Sequence, residues 1–229
     1  EAKERLQRAL TAGETAGDQR LIGRALYMTG LVEAAVGDPV HAEANLERAL
    51  PTWQGLADPA MEAEILHQMG LLAGGRGDLG ASESLFRRSL ELRHQADSDD
   101  EAHITLTFLA AIRVSGGDLD GARTAIRESL ELGRWLGDRR ASWTLDVCSW
   151  IAAADGEAGR ALVLSGAAAA MHASAGTTPP RTWLALTDSL MEQARERLTA
   201  AEATAALDRG RSLSYAEAVD FALEAERPA

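Results

Sequence analysis

The apolar and polar positions of this chain follow a helical period that is interrupted at regular intervals. The clearest unit spans residues 98–138: an amphipathic pattern over 101–114, the break Ser115-Gly116-Gly117-Asp118-Leu119-Asp120-Gly121, and a second pattern over 122–136. Two amphipathic helices joined by a Gly-Asp turn cannot bury both apolar faces between themselves, so the unit implies neighbours of its own kind. The sequence contains them. Gly37-Asp38, Gly77-Asp78 and Gly117-Asp118 lie forty residues apart, and Gly156-Glu157 follows after thirty-nine. In the same register recur Leu26, Leu66, Leu106 and Leu145 before the turn, and Leu46, Phe86 and Ile126 after it. Ala49, Ser89 and Ser129 form a series of small residues, and Leu10, Leu50, Leu90 and Leu130 complete the cadence. Bulky residues at one phase and small ones at another are what two packed helices require.

Each unit is therefore read as helix A, turn, helix B. Gly ends helix A because it takes positive φ at the cap, and Asp opens helix B because its carboxylate accepts orphan N–H groups. Asp38-Pro39 and Asp58-Pro59 add a proline at the first helical position. The predicted segments are B0 at 2–16, A1 at 19–36, B1 at 39–56, A2 at 59–74, B2 at 79–96, A3 at 99–115, B3 at 119–136, A4 at 139–154 and B4 at 157–174. The period stops at the breaker cluster Ala175-Gly176-Thr177-Thr178-Pro179-Pro180. Beyond it the pattern predicts one long helix over 181–207, a turn at Asp208-Arg209-Gly210-Arg211, and a last helix over 215–225 opened by a Ser214-to-Glu217 capping box. The domain expectation is a repeat region at 1–175, with a half repeat at 1–17 and four helix pairs. Residues 176–229 are expected to be capping helices of the same compact unit.

Composition agrees with an all-α fold: 4% of the 229 residues are aromatic and 46% hydrophobic, too few strand-favouring rings for a sheet protein and enough apolar mass for a core. A net charge of -12 argues against direct nucleic-acid binding, which needs a clustered basic face. The single Cys148 excludes an internal disulfide framework and fits a cytoplasmic location. No apolar run approaches the roughly 20 residues of a spanning helix, so no membrane association is expected. The polar start Glu1-Ala2-Lys3-Glu4-Arg5, the missing initiator Met and a B0 helix with no helix A before it suggest a piece of a longer protein.

Local patterns that imitate chemistry have plainer explanations. Gly75-Arg76-Gly77-Asp78-Leu79-Gly80 matches a dinucleotide fingerprint, but a helix precedes it where a strand is required. Arg76-Gly77-Asp78 is the same inter-helix turn. The acidic run Asp97-Ser98-Asp99-Asp100-Glu101 suits a helix start. His41, His67, His94, His103 and His172 show no paired ligand spacing, Cys148 has no activating His in sequence reach, and Ser165-Gly166 lacks the context of a nucleophile elbow. No enzyme activity, cofactor or metal is expected.

The small residue at the eighth position of helix A (Gly30, Gly70, Ala110), the Gly-Asp turn, the Ala at position twenty (Ala42, Ala122, Ala161) and the bulky residue four later resemble the tetratricopeptide repeat. The repeat is stretched to forty residues and lacks the usual Trp, Tyr and closing Pro. In this it resembles the degenerate long repeats of large ATP-dependent bacterial transcription activators of the LuxR and MalT type. The stretches from Gly159 to Ala169 and from Arg209 to Val219 resemble the segment that precedes the helix-turn-helix in such regulators. The resemblance implies an α-α superhelix of helical hairpins and a sensor or coupling role. In that family an ATPase lies upstream and a DNA-binding domain downstream, and the repeats receive a protein, peptide or small-molecule inducer.

The resemblance also implies that the second, fifth and ninth positions of the A helices face a concave groove. They are Arg24, Tyr27 and Leu31; Glu64, His67 and Leu71; Ile104, Thr107 and Ala111; Trp143, Asp146 and Trp150. Each set follows i, i+3, i+7 spacing and so forms one stripe. Arg24, Tyr27, Glu64, His67, Thr107, Trp143, Asp146 and Trp150 are the candidate ligand-binding residues. Aromatic stripes at helical spacing are more often core, so the competing expectation is that Trp143 and Trp150 pack against helix B4 or the tail. Two function classes follow: a regulatory binding module, or a passive scaffold or oligomerisation segment, with homodimerisation open in either.

Overall fold

A computed structural model of the chain describes residues 1–96, 99–136 and 141–225, with the backbone alone at 99–100, 134–136 and 225. Among the described residues there are twelve α-helices and no strand. They run α1 Ala2–Ala16, α2 Gln19–Ala35, α3 Pro39–Gly55, α4 Pro59–Gly75, α5 Leu79–Gln95, α6 Asp99–Gly116, α7 Leu119–Leu136, α8 Ala141–Ala154, α9 Ala158–Ala175, α10 Arg181–Glu196, α11 Ala200–Ser212 and α12 Tyr215–Ala225. The first nine reproduce the nine predicted segments within two residues at each end. Asp97 and Ser98 of the acidic run, and the start of A4 at 139–140, lie outside the described residues.

The cadence has a backbone cause. Gly37, Gly77, Gly117 and Gly156 close the A helices at φ 82, 81, 82 and 83°, a left-handed conformation that a side chain disfavours. The cap that follows is an Asp at twenty-residue intervals: the carboxylates of Asp18, Asp38, Asp58 and Asp78 accept the N–H groups of Leu21, His41, Met61 and Ala81 at 3.0, 3.2, 3.2 and 3.0 Å. Asp118 accepts from Gly121 at 3.0 Å in the same way. Asp therefore punctuates both kinds of turn.

The chain forms two compact units, Glu1–Asp99 and Asp100–Ala229. The division falls within the repeats, and the tail lies in the second unit together with α7, α8 and α9.

In the first unit Leu26, Leu46, Trp53 and Ile65 are buried in one core with Leu10. The size complementarity read from the sequence is physical: a Cβ on Gly70 would lie 2.7 Å from Phe86 Cε1, and one on Gly30 would lie 3.0 Å from Leu46. Where a serine replaces an apolar residue in this register, it finds a carbonyl. Ser89 Oγ donates to Ala63 O at 2.7 Å, and forty residues on, in the second unit, Ser129 Oγ donates to His103 O at 2.8 Å. A buried hydroxyl without such an acceptor would be destabilising.

In the second unit the tail departs from expectation. The long helix over 181–207 is broken at Arg197-Leu198-Thr199, where Thr199 and Glu202 form a capping box: Thr199 N donates to Glu202 Oε2 at 2.9 Å and Glu202 N to Thr199 Oγ1 at 3.3 Å. The turn expected at Asp208–Arg211 is instead helical, inside α11. Gly210 serves there as a contact surface, since a Cβ on it would lie 2.0 Å from Val163 O of α9. The Ser214–Glu217 capping box is present, with Ser214 N donating to Glu217 Oε2 at 2.8 Å. Helix α12 is held by Tyr215, whose hydroxyl donates to Gly133 O at 2.5 Å, and by Arg160, whose Nη2 donates to the carbonyls of Phe221 and Ala222 at 2.8 Å.

Candidate binding faces

In the first unit the predicted stripe brings Tyr27 of α2 and Glu64 of α4 together. The Tyr27 hydroxyl donates to Glu64 Oε1 at 3.0 Å, Gln68 Nε2 donates to the same oxygen at 2.9 Å, and Arg93 Nη2 of α5 reaches Glu64 Oε2 at 2.7 Å. Burial is the largest single influence on Glu64 and pushes its carboxyl upward. The Gln68 hydrogen bond, the charge of His67 and the hydrogen bond and charge of Arg93 outweigh it and hold the group below the ordinary glutamate range. His67 is buried against Phe86, with ring centroids 5.4 Å apart. Arg24 is exposed one turn before Tyr27. This face thus offers an exposed guanidinium beside a half-buried phenol and carboxylate.

Arg93 was not among the predicted residues. It is 1% exposed, and it lies on the apolar stripe of α5 in phase with Ser82, Phe86, Ser89 and Leu90. A cation at an apolar phase demands a carboxylate nearby, which is the signal that points to it.

In the second unit the remaining candidates are enclosed. Thr107 is fully buried, its Oγ1 within 2.8 Å of Ser129 Oγ and 2.9 Å of Thr144 Oγ1, between α6, α7 and α8. Trp143 is half-buried, with ring centroids 4.9 Å from Trp183, 5.1 Å from His172 and 5.8 Å from Phe108. Trp150 is 1% exposed and donates from Nε1 to Thr187 Oγ1 at 3.0 Å. Asp146 Oδ2 accepts the indole N–H of Trp183 at 2.7 Å and meets His172 Nε2 at 2.9 Å. Trp183 and Thr187 belong to α10. The expected open groove at A4 is therefore covered by the chain's own tail, the competing expectation for Trp143 and Trp150. The physical reason is that indoles carry large apolar faces that α10 screens from water while satisfying their N–H groups.

The Asp146–His172 pair continues to Thr177, whose Oγ1 is 2.8 Å from His172 Nδ1. A carboxylate only accepts, so Nε2 carries the proton. This arrangement orders the C-terminal cap of α9, where Thr177 N also donates to His172 O at 3.0 Å. The dinucleotide-like stretch is the α4–α5 turn, with Arg76 bound to both carboxylate oxygens of Glu43 at 2.8 and 2.9 Å. Among the described residues no cluster of His, Cys, Asp and Glu could hold a metal ion, and no helix is long and apolar enough to cross a membrane.

No protein-family model and no curated protein matches the chain. Among solved structures, the crystal structure of BtubC (BKLC) from P. vanneervenii is similar to it with a TM-score of 0.66 at 17% identity, over 99% of this chain and 92% of that one. At this identity the likeness defines the fold alone. Together with helix pairs recurring every forty residues, it places the chain in the class of all-α proteins built from repeated helical hairpins.

Proposed function

We propose that this chain is a non-catalytic regulatory module that binds a protein, peptide or small-molecule inducer, as the sensor or coupling segment of a cytoplasmic bacterial transcriptional regulator of the LuxR and MalT type. The observation that carries it is the A-helix face of the first unit, where exposed Arg24 stands beside half-buried Tyr27 and Glu64, whose carboxyl is held below the ordinary range. A prearranged charge and phenol on a rigid helical surface supply the few fixed polar groups that orient a ligand. Binding that favours one arrangement of the stack biases attached domains by its differential affinity. Nucleic acid is not the expected partner of this acidic segment.

A passive scaffold or oligomerisation role is the second reading. It is favoured by the second unit, whose matching face is already covered by α10. Calorimetric titration of the full chain with a panel of peptides and metabolites, repeated on Arg24→Glu, separates the two. A saturable interaction weakened by Arg24→Glu supports the module reading. No saturable interaction across the panel supports the scaffold.

A further inference from the structure

We propose that α10 is a detachable strap: a built-in helical ligand on the α8 face that lifts while α9, α11 and α12 stay folded, exposing Trp143, Asp146 and Trp150 to a competing helix. Helix α10 buries few of its own residues and is anchored mainly at Trp183, whose ring centroid lies 4.4 Å from that of Trp150, 4.9 Å from Trp143 and 5.6 Å from Phe108. Of its sixteen residues only Met191 and Ala194 are buried, both in the second half. Its first half rests on Trp183 and Thr187, with Leu184 beside them 40% exposed. No side chain caps its N-terminus, which follows Pro179-Pro180, and its C-terminal end is a break of three residues before α11.

The neighbouring helices are anchored without it. Gly166 and Gly210 bring the backbones of α9 and α11 so close that a Cβ on Gly166 would lie 2.4 Å from Leu207 O. Arg160 and Tyr215 fix α12 by hydrogen bonds that involve no residue of α10. Segments with few buried apolar contacts open at lower free energy than those around them. Departure of α10 does not orphan Asp146, because His172 Nε2 still holds the carboxylate. The receptor beneath therefore survives as an acceptor between two indoles. It matches an amphipathic helix carrying an indole or a cation, with a hydroxyl one turn later, as Trp183 and Thr187 are spaced in α10. What the first unit binds has no bearing on this.

Native-state hydrogen exchange of the full chain tests detachment. Amides of 185–196 are expected to exchange at least about tenfold faster than those of 160–175 and 203–212, and Trp183→Ala is expected to accelerate the first group alone. Equal protection of the three stretches, or uniform acceleration by Trp183→Ala, overturns the proposal. As a second measurement, a fluorescein-labelled peptide of residues 179–198 is titrated into the Trp183→Ala chain. Saturable binding that the unsubstituted chain shows at least about fivefold less of, because its own α10 competes, supports the strap. Absence of saturable binding to Trp183→Ala, or equal binding to both chains, overturns it.

Discussion

Trp183 and Asp146, thirty-seven residues apart on α10 and α8, meet at 2.7 Å on the same carboxylate oxygen that His172 approaches at 2.9 Å. One acceptor thus ties the tail, helix α8 and helix α9 together. Asp146→Ala removes it and leaves two donors in a largely apolar setting. The expected loss is about 1–3 kcal/mol for each donor stranded, read by urea unfolding followed by tryptophan fluorescence. An unchanged midpoint would show that this carboxylate does not hold the second unit together.

Leu106 sits 3% exposed on α6, at the phase shared with Leu26, Leu66 and Leu145. Leu106→Ala is expected to cost about 2–5 kcal/mol, seen as a lower Tm. A variant as stable as the parent would refute the forty-residue register.

Gly210 is buried against Val163 O at a separation that admits no Cβ. In a helix interior Gly→Ala ordinarily stabilises by up to about 1 kcal/mol. At Gly210 the backbone clash reverses the sign, and Gly210→Ala is expected to destabilise by about 1–3 kcal/mol. Gly159→Ala, where an added methyl meets nothing within 4 Å, is the matched control and is expected to be neutral or stabilising. Thermal melts of both variants check the pair.

The contrast between these two glycines explains what was legible. Nine helices could be placed from sequence because many of their ends are local events: at Gly17-Asp18, Gly37-Asp38, Gly77-Asp78 and Gly117-Asp118 a glycine turns left-handed and the aspartate after it caps the next helix. Gly210, preceded by Asp208-Arg209, carries the same letters but does neither job. Its role is set by Val163 on another helix, which no local pattern records. The break at 197–199 was legible in principle, since Thr199-Ala200-Ala201-Glu202 spells a capping box. The Tyr27–Glu64 meeting follows from phase along the A helices. Arg93, His172 and Trp183 do not, because each enters from a helix outside that stripe and is recruited by a carboxylate or an indole on it.

Glu64 contributes to stability through its ionised form. Its folded-state value is depressed, so the contribution is present above the unfolded glutamate value and is lost as pH falls through the folded one. Glu64→Gln is therefore expected to lower stability by about 1–3 kcal/mol at neutral pH, with the gap to the parent chain closing under acid conditions. Denaturation midpoints measured across the carboxylate range check the sign. A gap that widens as pH falls would mean that Glu64 is neutral in the folded chain.

Whether the A-helix stripe of the first unit is the binding face is decided by amide-resolved NMR of the full chain during titration with an inducer or partner found in the binding panel. Saturable shifts centred on 24–31 and 64–71, the A-helix stripe of the first unit, are expected. Saturable shifts confined to the opposite faces of α3 and α5, with that stripe unmoved, would contradict it.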